Sequence, residues 1–260
     1  MAKVKYEQDG GVAIVTMSDP ATLNAIAVDM TEELVEAFDR AVSGARCVVL
    51  TGEGRAFSSG ANLASGAPPV DSEGQPDLGG RLELTFNPFV SKLRDLPIPY
   101  VTAVNGAAAG IGCSFALLGD LIVAGESAYF LQAFRRIGLV PDGSATYHLP
   151  RMIGRVRAME MMLLGERLPA KTALEWGLIN RCVPDGELLP TAKALAAELA
   201  SGPTKTLGMI RRLAWASLDN TWSEQIQAER QAQRHAGRTE DFREGVQAFF
   251  QKRPPNFKGA

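Results

Sequence analysis

Residues 101–120 read VTAVNGAAAGIGCSFALLGD, and the change of character inside this stretch decides the fold class. Tyr100–Val104 is a short β-branched run and reads as a strand. It passes directly into a Gly and Ala tract over 105–112 that opens an apolar helix. A strand feeding a helix through small residues is a junction of an α/β chain. The start of a helix leaves main-chain N–H groups unpaired and carries a positive partial charge, so it suits an anion or a developing oxyanion. The plainer alternative is that the small residues only let helix and strand pack closely.

Outward from this junction, further strands are expected at 12–17, 47–51 and 121–124, each a short β-branched run. Between the first two, Met30, Leu34, Val35, Phe38 and Val42 fall near helical spacing, which predicts an amphipathic helix over 31–41. Strand and helix recur in order through the first two thirds of the chain. That order argues for a mainly parallel sheet with helical crossovers and for ligands where strand ends meet helix starts. A second small-residue stretch, TGEGRAFSSGANL over 51–63, again places a sharp turn and exposed N–H groups after a strand. The aperiodic segment ASGAPPVDSEGQPDLGG over 64–80 reads as an exposed loop, either a surface excursion or a lid over a site.

Beyond Pro150 the pattern turns helical: 155–164 closed by Gly165, 171–176 closed by Gly177, then 188–200, 205–217 and 222–235. In the last helix Phe242, Val246, Phe249 and Phe250 stand at i, i+4, i+7 and i+8, ahead of Pro254 and Pro255. So apolar a stripe is expected to pack on the sheet or on another subunit. No internal repeat suggests a solenoid.

Composition narrows the function. The 260 residues carry 27 Lys and Arg against 29 Asp and Glu, a net charge of −2, which gives no electrostatic reason to bind nucleic acid or anionic lipid. MAKVKYEQDG at the start has no apolar core, and no later run approaches the roughly 18 apolar residues of a membrane span, so a cytoplasmic protein is expected. Cys47, Cys113 and Cys182 are widely spaced among apolar neighbours and read as buried free thiols. With His148 and His235 the only histidines, no metal site is expected. The tract Gly106-x-x-x-Gly110-x-Gly112 is not a dinucleotide fingerprint, and no P-loop motif occurs. Ser144 and His148 at i, i+4 suggest a nucleophile and base, but no acid completes a triad and no G-x-S-x-G elbow is present, so a packing role is expected.

Six blocks in order, Asn24-Ala25, GEGRAFSSGANL, VTAVNGAAAGIGCSFALLGD, AYFLQAFRRIGLVPDGSATYHLPRMIG, LPAKTALEWGLINRCV and EGVQAFFQKRPPNF, resemble the crotonase (enoyl-CoA hydratase/isomerase) superfamily. The resemblance covers essentially the whole chain and implies the α/β crotonase (ClpP-like) spiral of ββα units: a core domain over 1–195, then a helical oligomerisation region over 196–260 that builds a homotrimer or dimer of trimers. It implies an acyl-CoA thioester substrate, CoA being part of that substrate, with no separate cofactor. The thioester oxygen would accept hydrogen bonds from the backbone amides at Ala61 and Ile111; Ile111 stands where the family commonly has Gly. The hydratases' two glutamates are replaced here by Ser114 and Phe134, neither of which can act as a carboxylate base, so efficient hydration is disfavoured.

One carboxylate suffices to move a proton from beside a thioester to a carbon two positions away. Asp142, in GLVPDG, resembles the acid of the family's isomerases, and the run from Phe134 to Val183 is most similar to ring-1,2-epoxyphenylacetyl-CoA isomerases. A second reading of Asp142 is a Pro-Asp-Gly turn and helix N-cap. A cap lowers a carboxyl pKa, whereas a base benefits from a raised one; an apolar wall of Phe134, Ile137, Leu139 and Val140 is the expected remedy. By resemblance, Ala25, Ser59, Asn62, Leu63 and Gly110 line the CoA and acyl pocket together with Ser114 and Phe134. Arg55 is a candidate phosphate ligand, and Lys258 approaches the nucleotide from a neighbouring subunit or lies in a free basic tail. An enoyl-CoA isomerase is the leading expectation; a hydratase using Asp142 with an ordered water, or an acyl-CoA binder without catalysis, are the alternatives.

Overall fold

In the computed structural model, which describes residues 2–66 and 69–260, the chain winds through successive strand–strand–helix units. The first is β1 (Val4–Asp9), β2 (Val12–Met17) and α1 (Val28–Gly44). The second is β3 (Cys47–Gly52), β4 (Ala56–Ser58), the short α2 (Leu78–Arg81) and, after a π turn at Leu82–Phe86, α3 (Asn87–Arg94). The third is β5 (Tyr100–Val104), β6 (Ala107–Ala109) and α4 (Ile111–Leu117); the fourth is β7 (Leu121–Gly125), β8 (Tyr129–Leu131), a 3-10 turn at Ala133–Ile137 and α5 (Ala145–Leu164). The chain continues through β9 (Leu168–Pro169), α6 (Ala170–Glu175), β10 (Arg181–Val183), α7 (Leu188–Ser201), α8 (Thr204–Ala216), α9 (Trp222–Ala236) and α10 (Glu240–Gln251).

Two sheets result. The larger has the order β1-β2-β3-β5-β7-β10, parallel except for the β1–β2 hairpin; the smaller has the order β4-β6-β8-β9, with β4, β6 and β8 parallel. Both faces of the larger sheet are covered, which is why β3 reads CVVLTG without polar alternation. Val48 and Leu50 join the cluster under α1 and α3, where Phe38, Phe89, Tyr100 and Phe115 meet edge to face. Cys47 and Val49 face the other way, onto Leu188, Ala192, Leu195 and Ala196 of α7. This helix runs unbroken through position 195, with buried residues on both sides of it.

The fold matches the expected ββα spiral, with differences of detail. The small sheet was not legible as strands, because AFS, AAA and YFL are three residues each and too short to show a period. The helix expected at 31–41 is Val28–Gly44, and the one expected at 155–164 begins at Ala145, with a break at Gly154 (φ 75°, ψ 159°) that separates its two parts. The 64–80 loop is shorter than expected, since α2 starts at Leu78; Ala67 and Pro68 lie outside the described residues. Asp71 organises it by accepting the N–H groups of Glu73 and Gln75. Cys182 is half-buried rather than buried. Among the described residues no helix is long and apolar enough to cross a membrane.

The α10 stripe does not pack within the chain: Phe249 is 79% and Phe250 78% exposed. The tail beyond α10 is nonetheless tied down. Asp241, itself buried, accepts the backbone N–H groups of Lys258 and Gly259 at 2.6 and 2.8 Å, and Arg46 donates to the Phe257 carbonyl. The free basic tail considered from sequence is therefore not what forms.

Candidate functional site

Three parallel strands of the small sheet, β4, β6 and β8, leave by the same edge. The residues that follow them are Gly60-Ala61, Gly110-Ile111 and the segment Gln132–Asp142, so the topology alone gathers the three sequence-predicted elements. Gly60 (φ 100°) and Gly110 (φ 51°, ψ −128°) both sit in conformations that favour glycine, and a Cβ on Gly60 would stand 2.9 Å from the Ala109 carbonyl. That close approach puts the residues preceding Ala61 and Ile111 side by side.

Both amides are free to bind. The neighbours of Ala61 are occupied, with the Ile26 N–H donating to the Gly60 carbonyl and the Asn62 N–H donating to the Ile26 carbonyl, which turns the Ala61 N–H away from Ile26. Ile111 is the first residue of α4, so its N–H has no intrahelical acceptor. Among the described residues neither N–H donates to a protein group.

Asp142 lies across the same corner. The Ile111 Cδ1 packs on Gly143, and the Phe134 ring reaches to 3.7 Å from where a Gly110 Cβ would project, so one apolar patch joins the acid-bearing turn to the amide pair. The carboxyl makes no hydrogen bond through its buried Oδ1, and burial alone pushes its pKa up to about 6. The N-cap alternative is not realised: α5 begins at Ala145 with Ser144 as its cap residue, and the Asp142 carbonyl, not its carboxyl, takes the Ala145 N–H. The expected wall is also different. Phe134 is buried, but Ile137, Leu139 and Val140 are exposed in the single chain, so of the expected wall only Phe134 is withdrawn from solvent.

Ser114 is fully buried and its hydroxyl donates to the Asp142 carbonyl at 3.0 Å, so it is not presented to a ligand as a pocket lining. Ser144 does meet His148, Oγ to Nδ1, at 3.1 Å. Burial holds that imidazole down to about 4 and its Nε2 has no partner, so it is a poor base and no triad forms. The three elements carry one residue that the sequence did not single out: Gln132, fully buried directly after β8, whose side-chain amide finds no hydrogen-bond partner.

The residues expected to hold CoA fall into two groups. Ala25 and Ser59 are brought together with Ala61, Asn62 and Leu63, because residues 22–26 run beside 59–62: the Ser59 N–H donates to the Leu23 carbonyl and its hydroxyl to the Thr22 carbonyl. Asn24 fixes this contact from beneath. Its Nδ2 donates to the Glu53 and Ala56 carbonyls, its Oδ1 accepts from the Asp19 N–H, and Leu23 and Asn24 both adopt positive φ. Asn24→Ala is expected to cost about 2 kcal/mol by stranding buried carbonyls, measured by chemical denaturation, with a higher KM for acyl-CoA. Arg55 is exposed in the β3–β4 turn. Lys258 is not brought to the site within the chain: its backbone is held beside Arg46, at the opposite end of β3 from Gly52. Among the described residues no three His, Cys, Asp or Glu side chains are grouped to hold a metal ion.

Cavities of about 570 Å3 lie elsewhere, one against α7 at Arg46 and Lys193 and one at Phe242 and Phe257, and neither is lined by Ala61, Ile111 or Asp142.

The chain is similar over nearly its whole length to known proteins. A family model described as enoyl-CoA hydratase/isomerase matches residues 7–260. A Rhodobacter capsulatus protein named "probable enoyl-CoA hydratase" is 43% identical over 256 residues, covering 98% of each chain. The 1,2-epoxyphenylacetyl-CoA isomerase of Escherichia coli is 44% identical over 252 residues, covering 96% of this chain and 95% of its own. The crystal structure of an enoyl-CoA hydratase from Bacillus anthracis superposes with a TM-score of 0.91 at 28% identity, covering 99% of this chain and 100% of its own.

Proposed function

The chain belongs to the enoyl-CoA hydratase/isomerase family, and from that premise we propose that it is an acyl-CoA isomerase that shifts a double bond, or rearranges a ring epoxide, through a thioester enolate. The carrying observation is a half-buried carboxyl without a hydrogen bond, on a turn packed against the helix that begins with one of two unpaired amides. The thioester oxygen sits between the Ala61 and Ile111 N–H groups, which stabilise negative charge as it develops. The Asp142 carboxylate removes a proton from the carbon next to the thioester, leaving an enolate conjugated with the C=C bond. The resulting carboxylic acid then returns the proton two carbons further on, and the electron pair settles as a new double bond beside the carbonyl. Both transfers use one group on one face, so no second carboxylate is needed.

The two positions at which the resemblance places glutamates in hydratases hold Ser114 and Phe134, which is the ground for preferring isomerisation. A hydratase in which Asp142 activates water is the second reading, favoured by the name of the Rhodobacter capsulatus relative. Absorbance of the conjugated 2-enoyl thioester separates them. Purified protein given a 3-enoyl-CoA is expected to create that absorbance; bleaching of a supplied 2-enoyl-CoA without any such gain from the 3-enoyl isomer identifies a hydratase. Tight binding without conversion of either identifies a binder that has lost catalysis.

The proposal includes assembly into a homotrimer or dimer of trimers. Phe242, Val246, Phe249 and Phe250 form one exposed apolar face on α10, too large a hydrophobic surface to leave in water. Light scattering on a sizing column is expected to give three or six chains per particle, and Phe249→Asp with Phe250→Asp is expected to lower that number; a monomeric parent protein ends this part of the proposal.

A further inference from the structure

The Asp142 carboxyl is oriented by nothing of its own: Oδ1 is buried and has no hydrogen-bond partner. Its direction therefore depends on its main chain. That main chain is a tight turn in which Gly143 (φ 58°) and Ser144 (φ 65°) both take left-handed conformations, a costly choice for Ser144 that needs support from its surroundings. The Asp142 carbonyl receives two hydrogen bonds, one from the Ala145 N–H within the turn at 3.1 Å and one from the Ser114 hydroxyl at 3.0 Å.

The second bond reaches out of the turn. Ser114 lies one helical turn after Ile111 on α4, and α4 begins with the amide proposed to hold the thioester oxygen. Gly143 fits against Ile111 and Ser114 so closely that a Cβ there would collide with both side chains. The hydroxyl is 0% exposed and its one hydrogen bond is to Asp142. We infer that Ser114 is a positioning residue: its hydroxyl ties the turn carrying the acid to the helix carrying the oxyanion donor, and so sets the distance between base and thioester. The inference rests on the reading of Asp142 as the proton-transferring group.

A rigid link of this kind matters because catalytic groups displaced by about 1 Å lose rate steeply. Losing the Ser114 hydroxyl leaves the carbonyl with its local bond and frees the turn to drift from α4.

The test is a cycle on the intact protein with a 3-enoyl-CoA, reading kcat, KM and the pH at which kcat is half-maximal. Ser114→Ala is expected to lower kcat about tenfold with KM within about twofold, and to move the pH midpoint downward as the loosened carboxyl gains water. In an Asp142→Asn background the same change is expected to have no further effect on the residual rate, since Ser114 acts only through that acid. Ser114→Cys keeps the volume and weakens the donor, and reads the same quantities if the alanine variant does not fold. Full kcat and an unmoved midpoint in the Ser114 variants, with Asp142→Asn inactive, overturn this inference and leave the proposed function standing. Retained activity in Asp142→Asn moves the proton transfer to another acid, which overturns the reading of Asp142 on which this inference rests, and Ser114 loses its role with it.

Discussion

Asp142→Asn is expected to lower turnover of a 3-enoyl-CoA by about 10²- to 10⁴-fold, the scale of a positioned acid–base group, while acyl-CoA binding changes little. Asparagine keeps the shape and removes the exchangeable proton, so the loss falls on kcat and not on KM. In the parent protein kcat is expected to rise with pH through a midpoint near the carboxyl pKa of about 6 and to level off above it, because the first step needs the anion. The same substitution has a stability consequence of opposite sense. Burial raises this pKa from 3.8 to about 6, so the folded chain binds the proton more tightly than the unfolded chain and ionisation costs stability. That cost is absent below pH 4, grows between 4 and 6, and is complete above 6, where it amounts to at most about 3 kcal/mol. Asp142→Asn should therefore melt higher than the parent at pH 8 and alike at pH 3.5, measured by calorimetry at both. Undiminished turnover would move the proton transfer to another acid, such as Asp77 or Glu83.

Ile111→Pro is expected to cost about 10²- to 10³-fold in kcat, the usual loss on deleting one oxyanion donor. Ile111 is the first residue of α4, where proline is favoured because the N–H has no intrahelical acceptor, and its predecessor is a glycine. The substitution therefore deletes the N–H while leaving the helix in place. It also trims a buried side chain that packs on Gly143, so Ile111→Val serves as the packing control and is expected to stay within about tenfold of the parent. Equal effects of the two would assign the loss to packing and remove this amide from the site.

The four central strands of the larger sheet were legible from sequence because they appear as β-branched or apolar runs such as CVVLTG, whereas its edge strands β1 and β10 were not read. The helix after Val104 was legible from its small-residue approach, and the stretch after Gly52 as a sharp turn, whereas α3 was not foreseen. The intervening strands β4, β6 and β8 were not, since three residues cannot display alternation, and these are the strands that deliver the site. Their existence depends on pairing with one another, which is information from residues about 20 to 50 positions apart. Asp142 was legible as an acid by family resemblance and as a turn by Pro-Asp-Gly, but its unbonded burial and the engagement of Ser114 with its carbonyl depend on how α4 meets the turn. The apolar wall differs for a similar reason: Ile137, Leu139 and Val140 stand close to the acid in sequence, and each is exposed in the folded chain.

The three exits at one edge of the small sheet belong to three successive coils of the spiral. In the proposed mechanism, grip on the carbonyl comes from the first two of these exits and proton traffic from the third, so the architecture would keep these duties on separate stretches of sequence. Substitutions after the third exit can redirect which bond is remade without loosening the hold on the thioester, a division of labour that lets one scaffold diversify its reactions piece by piece.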